Sequence, residues 1–157
     1  VKGSFGLKAN FFYDGFERQY KDIKPAILAE EYLDGLATSV YDYNIFCFHG
    51  EPEYIWCING SHRPGCCASF YDNDWNLQPF SYGYPMDVYP APRPQNLERM
   101  LEIARELSED FEHVRVDLYD MPDGRVLFGE MTFSTWGGLM TFVPKKYDEV
   151  VGNLIRG

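Results

Sequence analysis

The pattern of apolar and polar positions predicts that most of this chain forms short β-strands. Residues 41–48 (YDYNIFCF) and 53–59 (EYIWCIN) are rich in aromatic and β-branched side chains, and the turn-forming sequence HGEP separates them. We therefore predict an antiparallel hairpin. The same pattern predicts further strands over residues 66–71, 113–120 and 125–133. An apolar run that opens at Pro25 predicts a short strand that ends in a loop at Asp34-Gly35.

Two stretches have helical spacing instead. Pro94 suits a first helical turn, and the apolar side chains that follow recur at i, i+3, i+4 and i+7: Leu97, Met100, Leu101 and Ala104. Residues 145–155 predict a closing helix with four inward positions, Tyr147, Val150, Val151 and Leu154.

Between the strands and the first helix, residues 72–92 contain Gly83 and four prolines, which predicts a long loop packed by its own aromatic side chains. Asp72, Asp74 and Trp75 lie in this loop. They either border a cleft and touch a substrate or serve the packing of the loop, and the second interpretation is favoured.

The most informative segment is VRVDLYDMPDGRVLFGEMTF, residues 114–133. Asp123-Gly124 is a strong signal for a two-residue hairpin turn, and counting outward places Asp117 opposite Glu130 and Arg115 opposite Thr132. Because side chains alternate between the faces of a strand, one face is apolar and is expected to pack on the helix of residues 94–108. The other face carries Arg115, Asp117, Tyr119, Phe128, Glu130 and Thr132.

This polar face has the groups that a cation and a phosphate require. Directly opposite residues have Cβ atoms about 5 Å apart, and two carboxylates at that spacing repel each other unless a cation lies between them. Asp117 and Glu130, with Arg115 and the hydroxyl of Thr132 beside them, predict a site for Mg²⁺ and a phosphate. The alternative is a structural sheet face on which Asp117 pairs with Arg115 or with a lysine elsewhere.

Composition narrows the class of protein. The length of 157 residues suits one domain with a real core, and an aromatic share of 17% argues against disorder. The net charge of -10 argues against binding to nucleic acid or anionic lipid, whereas a phosphorylated small molecule is compatible if bound Mg²⁺ supplies positive charge. No apolar run approaches the ~20 residues of a membrane span. Four cysteines without a CxxC pair argue against a zinc site and favour a reducing cytoplasm.

In chain order, the motifs EEYL, DYNIFCFHGEP, FYDNDWNLQPF, PRPQNLERMLEIARELS, VRVDLYD and FGEMTF resemble the TupA-like ATP-grasp family. The resemblance spans roughly residues 16–155. It implies an α+β fold, the C-terminal lobe of an ATP-grasp domain, with a mainly antiparallel sheet and helices packed on one face. Residues 1–157 would form one domain, with residues 1–24 as a connector. The missing initiator Met leads us to expect that the chain starts inside a longer protein.

The resemblance also implies a nucleotide site. AILAEEYLDG resembles the ATP-grasp hinge that borders adenine, so Glu30 would accept a hydrogen bond from the adenine amino group. The backbone of Glu31 and Leu33 would bind the edge of the ring. The family often reads Asp-Tyr-Lys where this chain reads Asp-Tyr-Asn from Asp42. Since Asn44 supplies no charge, Asp42 would be the nearer polar contact to the nucleotide.

In the same family, an Asp on one strand and a Glu on the next hold Mg²⁺ on the nucleotide phosphates, and these roles fall to Asp117 and Glu130. Arg115 would be the catalytic contact to phosphate or to an acyl-phosphate intermediate. An Asn usually follows two residues after the Glu, but this chain has Thr132, a weaker and neutral ligand, so its place in the metal site is left open. The glycines of Thr135–Gly138 would either let backbone N–H groups approach a substrate or form a tight connection.

The implied activity is that of an ATP- and Mg²⁺-dependent ligase-type enzyme. It would activate a carboxylate as an acyl phosphate for transfer to an amine or similar acceptor, with a small molecule or polysaccharide precursor as substrate. Members of the family are found near polysaccharide and teichuronopeptide biosynthesis. Two alternatives are left open: a glycosyltransferase that uses a nucleotide-sugar, and a non-catalytic nucleotide-binding remnant. The isolated segment is expected to bind nucleotide weakly, and its oligomeric state is not predicted.

Overall fold

The structure, a computed structural model, describes residues 41–60 and 64–157, and in addition Asp22, Ile27 and Ala29. Its strands are β1 (Tyr41–Phe48), β2 (Glu51–Asn59), β3 (Cys67–Tyr71), β4 (Ser81–Tyr82), β5 (His113–Asp120), β6 (Val126–Thr132) and β7 (Phe142–Val143). Its helices are α1 (Leu97–Ser108), a 3-10 helix (Thr135–Gly138) and α2 (Lys146–Arg156). Five strands form an antiparallel sheet in the order β3-β2-β1-β5-β6, and β4 pairs with β7.

The predicted strands and helices of the described segments are confirmed. The β1–β2 hairpin is tighter than expected, because β2 already begins at Glu51 and only His49-Gly50 form the turn, with φ of 50° and 82°. Strands β4 and β7 were not predicted, since a two-residue strand shows no periodicity. The strand expected after Pro25 lies outside the described residues.

One face of the sheet packs on α1. Leu97, Met100 and Ala104 of the helix are fully buried against Val114 and Val116 of β5, so the predicted packing of the apolar hairpin face on this helix is confirmed. A helix with apolar side chains at this spacing has one apolar side, and packing on an apolar sheet face removes that side from water.

The other face carries a cluster of aromatic side chains, Phe46, Phe48, Trp56, Phe70, Phe80 and Tyr82, and Val151 of α2 is buried in the same cluster. The α+β class and the antiparallel sheet are confirmed, but the helices divide between the two faces instead of sharing one. The reason is that the central strands are apolar on both faces, as in Ile45 and Phe46, so each face needs a cover. On α2, Val150 is 46% exposed and does not point inward as predicted.

In the long loop before α1, Asp72 and Trp75 serve packing, which is the favoured interpretation. The loop is not packed by its own aromatic side chains as predicted, however, because rings such as that of Phe80 pack on the sheet, here on Phe70 of β3. The carboxylate of Asp72 accepts hydrogen bonds from the backbone N–H groups of Asp74 and Asn76. The ring of Trp75 stacks on Tyr71 with 4.2 Å between centroids, on the α1 side of the sheet. None of the described helices is long and apolar enough to cross a membrane.

Candidate active site

The loop of the β5–β6 hairpin differs from its prediction. It has three residues, 122–124, because the backbone N–H of Met121 donates to the carbonyl oxygen of Arg125 at 2.9 Å. Its last residue is a glycine with φ of 85°, the left-handed conformation typical of this loop. The predicted two-residue turn is therefore wrong, and the pairing shifts by one residue. As a result Phe128 lies opposite Leu118, on the α1 face of the sheet and not on the polar face.

A β-bulge then restores the predicted register. Asp117 of β5 faces two residues of β6, Gly129 and Glu130, and beyond them Arg115 pairs with Thr132 as predicted. Gly129 suits this position because a Cβ atom there would lie 3.0 Å from the carbonyl oxygen of Asp117. The bulge thus keeps Glu130 beside Asp117 although the loop is longer than expected.

The buried side chain of Arg115 holds the polar groups of the hairpin together. Its Nε and Nη2 atoms donate to the two carboxylate oxygens of Asp117 at 2.7 and 2.6 Å, and Nη2 also donates to Glu130 at 2.9 Å. The hydroxyl of Thr132 donates to the same oxygen of Glu130 at 2.9 Å, and Nη1 of Arg115 donates to the hydroxyl of Thr135 at 3.4 Å. The structure therefore brings together the four predicted residues of the hairpin, with Asp117 paired to Arg115.

The environment of Asp117 raises the pKa of its carboxyl group. Burial raises the pKa of Asp117 to about 6; Arg115 opposes this shift, and Glu130 adds to it. The Asp117 side chain is 15% exposed, whereas that of Glu130 is 64% exposed. Asp117 is thus ionised at neutral pH, and an additional cation beside it would favour that state.

A cavity opens over this cluster, and its volume of about 380 Å³ lies within the size range of ligand pockets. Its polar wall consists of Asp42, Asn44, Arg115, Asp117 and Glu130. Asn44 lies opposite Asp117 in the sheet, is buried, and donates to the carbonyl oxygen of Trp56 at 3.1 Å. Among the described lining residues, three carboxylates therefore face one guanidinium, and the wall is negatively charged.

The second wall of the cavity is aromatic. It consists of Trp56, Tyr84 and Trp136. Tyr84 stacks on Trp56 at 5.8 Å between centroids and meets Trp136 edge-on at 5.3 Å. Sequence reasoning did not place Trp56 or Tyr84 in the site, and it considered the segment of Trp136 only for its glycines. The signal that could have indicated this wall was the sequence Tyr-Gly-Tyr around Gly83, because its two aromatic rings lie in a predicted loop and belong to no predicted strand.

The donor groups fit a divalent cation. One charged nitrogen, Nη2 of Arg115, already lies between carboxylate oxygens of Asp117 and Glu130. Within the described ranges, no three His, Cys, Asp or Glu side chains form a set that holds a metal. Two carboxylates are nevertheless what Mg²⁺ usually takes from a protein when nucleotide phosphates and water supply its other ligands.

The predicted nucleotide contacts fall in two groups. Asp42 lines the cavity next to the charged cluster. Glu30, Glu31 and Leu33 lie outside the described residues.

The α+β lobe and the bulged hairpin with its two carboxylates and arginine are consistent with the ATP-grasp class. The family model described as TupA-like ATPgrasp matches residues 1–156. The chain belongs to the TupA-like ATP-grasp family, as its motifs predicted. No curated protein and no solved structure matches the chain. Family membership points to an ATP-dependent, ligase-type function that acts on small molecules, in a class that generally uses Mg²⁺.

Proposed function

We propose that this protein uses Mg-ATP to activate a carboxylate as an acyl phosphate and passes the acyl group to an amine or similar acceptor. The observation that carries the proposal is the position of the Arg115 guanidinium, shared between the carboxylates of Asp117 and Glu130 at the floor of an open cavity. Such an arrangement of opposite charges can exchange partners when a second cation and an anion arrive together.

In this proposal Asp117 and Glu130 hold Mg²⁺, which neutralises charge on the nucleotide phosphates. Thr132 orients Glu130 through its hydrogen bond, and its hydroxyl is a candidate ligand in its own right. Arg115, relieved of the carboxylates, binds the transferred phosphoryl group. Asp42 contacts the nucleotide, while Glu30, Glu31 and Leu33 are proposed to bind adenine as the family resemblance implies.

The chemistry needs two displacements. A substrate carboxylate oxygen attacks the γ-phosphorus of ATP, the bond to the ADP oxygen breaks, and an acyl phosphate forms. The acceptor nitrogen then attacks the acyl carbon, the bond to the phosphate oxygen breaks, and the amine gives up a proton. Arg115 favours both steps because it stabilises negative charge on the phosphoryl oxygens.

We further propose that the substrate is a polysaccharide precursor or related small molecule for a cell-surface polymer. The four cysteines are free thiols, which supports a reducing cytoplasm as the place of the reaction. Residues 1–157 are proposed to act as the C-terminal part of an ATP-grasp fold.

Calorimetric titration of the full-length protein that contains this chain tests the proposal. Mg-ATP is titrated into wild type and into Asp117→Asn/Glu130→Gln, with a UDP-sugar as the comparison ligand. A matched control, Asp123→Asn/Glu149→Gln, removes two exposed carboxylates outside the cavity. We expect Mg-dependent ATP binding in wild type and control and its loss in the first variant.

Two results would overturn the proposal. Binding of UDP-sugar with UDP release, and no binding of ATP, would identify a glycosyltransferase. If neither ATP nor the UDP-sugar binds, the protein does not catalyse a nucleotide-dependent reaction.

A further inference from the structure

The side chain of Asn44 places an oxygen atom without a partner beside the charged cluster. Asn44 is 3% exposed, and its Nδ2 donates to the backbone carbonyl oxygens of Trp56 at 3.1 Å and Asp42 at 3.3 Å. Because these carbonyl oxygens can only accept, they fix which end of the amide is the nitrogen. Among the residues that the structure describes, none donates to Oδ1. The amide is therefore held by its nitrogen, and its oxygen remains available.

This oxygen faces the cavity. Within the described ranges, Nε1 of Trp56 is the one fully buried side-chain polar atom that lacks a partner, so Oδ1 of Asn44 retains some exposure. The open space that Asn44 lines is the cavity. The amide group is planar and its nitrogen is directed at Trp56 of β2. Its oxygen therefore lies on the side away from β2, where Asp117 of β5 is the neighbour.

Asn44, Asp117 and Glu130 form one row across the sheet. Asn44 pairs with Asp117 between β1 and β5, and Glu130 lies beside Asp117 at the bulge of β6. Neighbours in such a row have Cβ atoms about 5 Å apart on one face. All three residues line the cavity, and their acceptor oxygens cannot hydrogen-bond to one another. Arg115 donates to Asp117 and Glu130, but in the described part of the chain it makes no hydrogen bond to Asn44.

A divalent cation is the group that suits such a row. Hard divalent cations bind carboxylate and amide carbonyl oxygens. An amide oxygen adds a ligand without a further negative charge next to the buried carboxylate of Asp117, which a third carboxylate would repel. One hydrogen-bond donor satisfies one or two of the three oxygens, whereas a cation contacts all of them. A lysine at position 44 would instead pair with Asp117 and take the place of the cation.

We propose that Asn44 is a third protein ligand of the divalent cation, with its Oδ1 bound to the Mg²⁺ that Asp117 and Glu130 hold. The inference rests on the proposed function, because it uses the cation site of that function. It adds a ligand from β1, outside the β5–β6 hairpin. It also gives position 44 a role in binding the cation instead of a phosphate.

The test places Mn²⁺ in the full-length protein that contains this chain, with ¹³C in the side-chain carbonyl of its asparagines. Electron–nuclear double resonance measures the hyperfine coupling between Mn²⁺ and this carbon, which is strong when the carbonyl oxygen binds the metal directly. Mn²⁺ is added alone and together with a non-hydrolysable analogue of ATP. We expect a strong ¹³C coupling in wild type. Asn44→Asp should keep Mn²⁺ bound and lose this coupling, because position 44 then carries no label.

Titrations that follow the resonance of free Mn²⁺ measure the affinity at pH 8. Asn44→Leu should weaken Mn²⁺ binding roughly 3- to 10-fold because one ligand is lost, and Asn44→Asp should strengthen it by a similar factor because the ligand gains a charge. Asn73→Leu is the matched control. Nδ2 of Asn73 also donates to a backbone carbonyl oxygen, that of Pro52 at 2.8 Å, but Asn73 does not line the cavity. This variant should bind Mn²⁺ as wild type does.

The inference is overturned if bound Mn²⁺ shows no ¹³C coupling from Asn44, if Asn44→Leu binds Mn²⁺ as tightly as wild type, or if Mn²⁺ does not bind under either condition. If Asn44→Leu does not fold, the coupling in wild type and its loss in Asn44→Asp decide. Mg-ATP binding without the coupling removes only this inference, whereas the coupling without Mg-ATP binding removes only the proposed ligase function.

Discussion

At the scale of the single residue, the carboxyl of Asp117 is subject to two opposing influences. Its carboxylate makes two short hydrogen bonds to Arg115, which favours the ionised form, and it is buried, which favours the neutral form. The balance raises its pKa to about 6, so burial outweighs the ion pair. A buried pair of this kind contributes less to stability than its distances suggest, because both partners lose their hydration.

The pH dependence of stability tests this balance. An unfolded Asp ionises near pH 3.8 and the folded Asp117 near 6, so between these values the folded protein binds more protons and its free energy of unfolding falls as pH rises. Asn does not titrate. As pH rises from 4 to 7 in Mg-free buffer, the free energy of unfolding of Asp117→Asn should therefore increase by roughly 2–3 kcal/mol relative to that of wild type.

Urea denaturation at four pH values measures this difference. Asp123→Asn is the control, because the backbone N–H and side chain of Arg125 lower the pKa of this exposed carboxyl, so its variant should lose relative stability as pH rises. If the unfolding free energy of Asp117→Asn relative to wild type stays constant or falls as pH rises, the ion pair with Arg115 balances or outweighs the effect of burial.

Among elements, the β5–β6 hairpin depends on two irregularities that compensate for each other. Its three-residue loop moves the pairing by one position, and the bulge at Gly129 moves it back before the charged residues. A regular ladder with this loop would place Glu130 and Thr132 out of register with Asp117 and Arg115. The bulge is therefore part of the site, as bulges beside active sites often are.

Replacement of Gly129 by alanine should disturb this arrangement. The added Cβ would lie 3.0 Å from the carbonyl oxygen of Asp117 and 3.2 Å from the ring of Tyr119. We expect a loss of about 1–3 kcal/mol in unfolding free energy, measured by urea denaturation, and weaker Mg-ATP binding by calorimetry.

Gly152→Ala is the matched control, because Gly152 lies in α2 and a methyl group added there would meet no atom within 4 Å. This variant should gain about 0.5–1 kcal/mol from helix propensity and bind Mg-ATP as wild type does. Unchanged stability and affinity for Gly129→Ala would mean that the bulge adapts without moving Glu130.

In the whole molecule, one sheet separates two cores. Strands β1 and β2 contribute side chains to both cores; in β1, for example, Ile45 lies on the α1 face and Phe46 on the aromatic face. Because these two strands belong to both cores, neither core can lose its packing while the other keeps its full sheet. The molecule should therefore unfold as one cooperative unit.

Core variants on opposite faces test this expectation. Met100→Ala should lower the unfolding free energy by about 2–5 kcal/mol and Phe70→Ala by about 3–5 kcal/mol. In both, the near-ultraviolet and far-ultraviolet circular dichroism transitions should coincide. Leu139→Ala, at a residue 82% exposed, should change stability by less than about 0.5 kcal/mol. Loss of the near-ultraviolet signal at lower urea would show that the aromatic core unfolds separately.

The sequence by itself determined the longer strands, the two α-helices and the identity of the charged residues. Alternating side chains predicted β1, β2 and β5, helical spacing predicted α1 and α2, and the acidic and basic residues of the hairpin predicted a charged cluster. These are local properties, since periodicity and turn residues act within a few positions of the chain.

Only the tertiary structure decided which groups share the cavity. The loop length and the bulge depend on hydrogen bonds across the hairpin, and α2 covers the second sheet face because that face is apolar too. Trp56, Tyr84 and Trp136 are 28 and 52 residues apart in sequence, and no local pattern relates them. Their meeting depends on the packing of β2, the loop after β4 and the 3-10 helix over one face of the sheet.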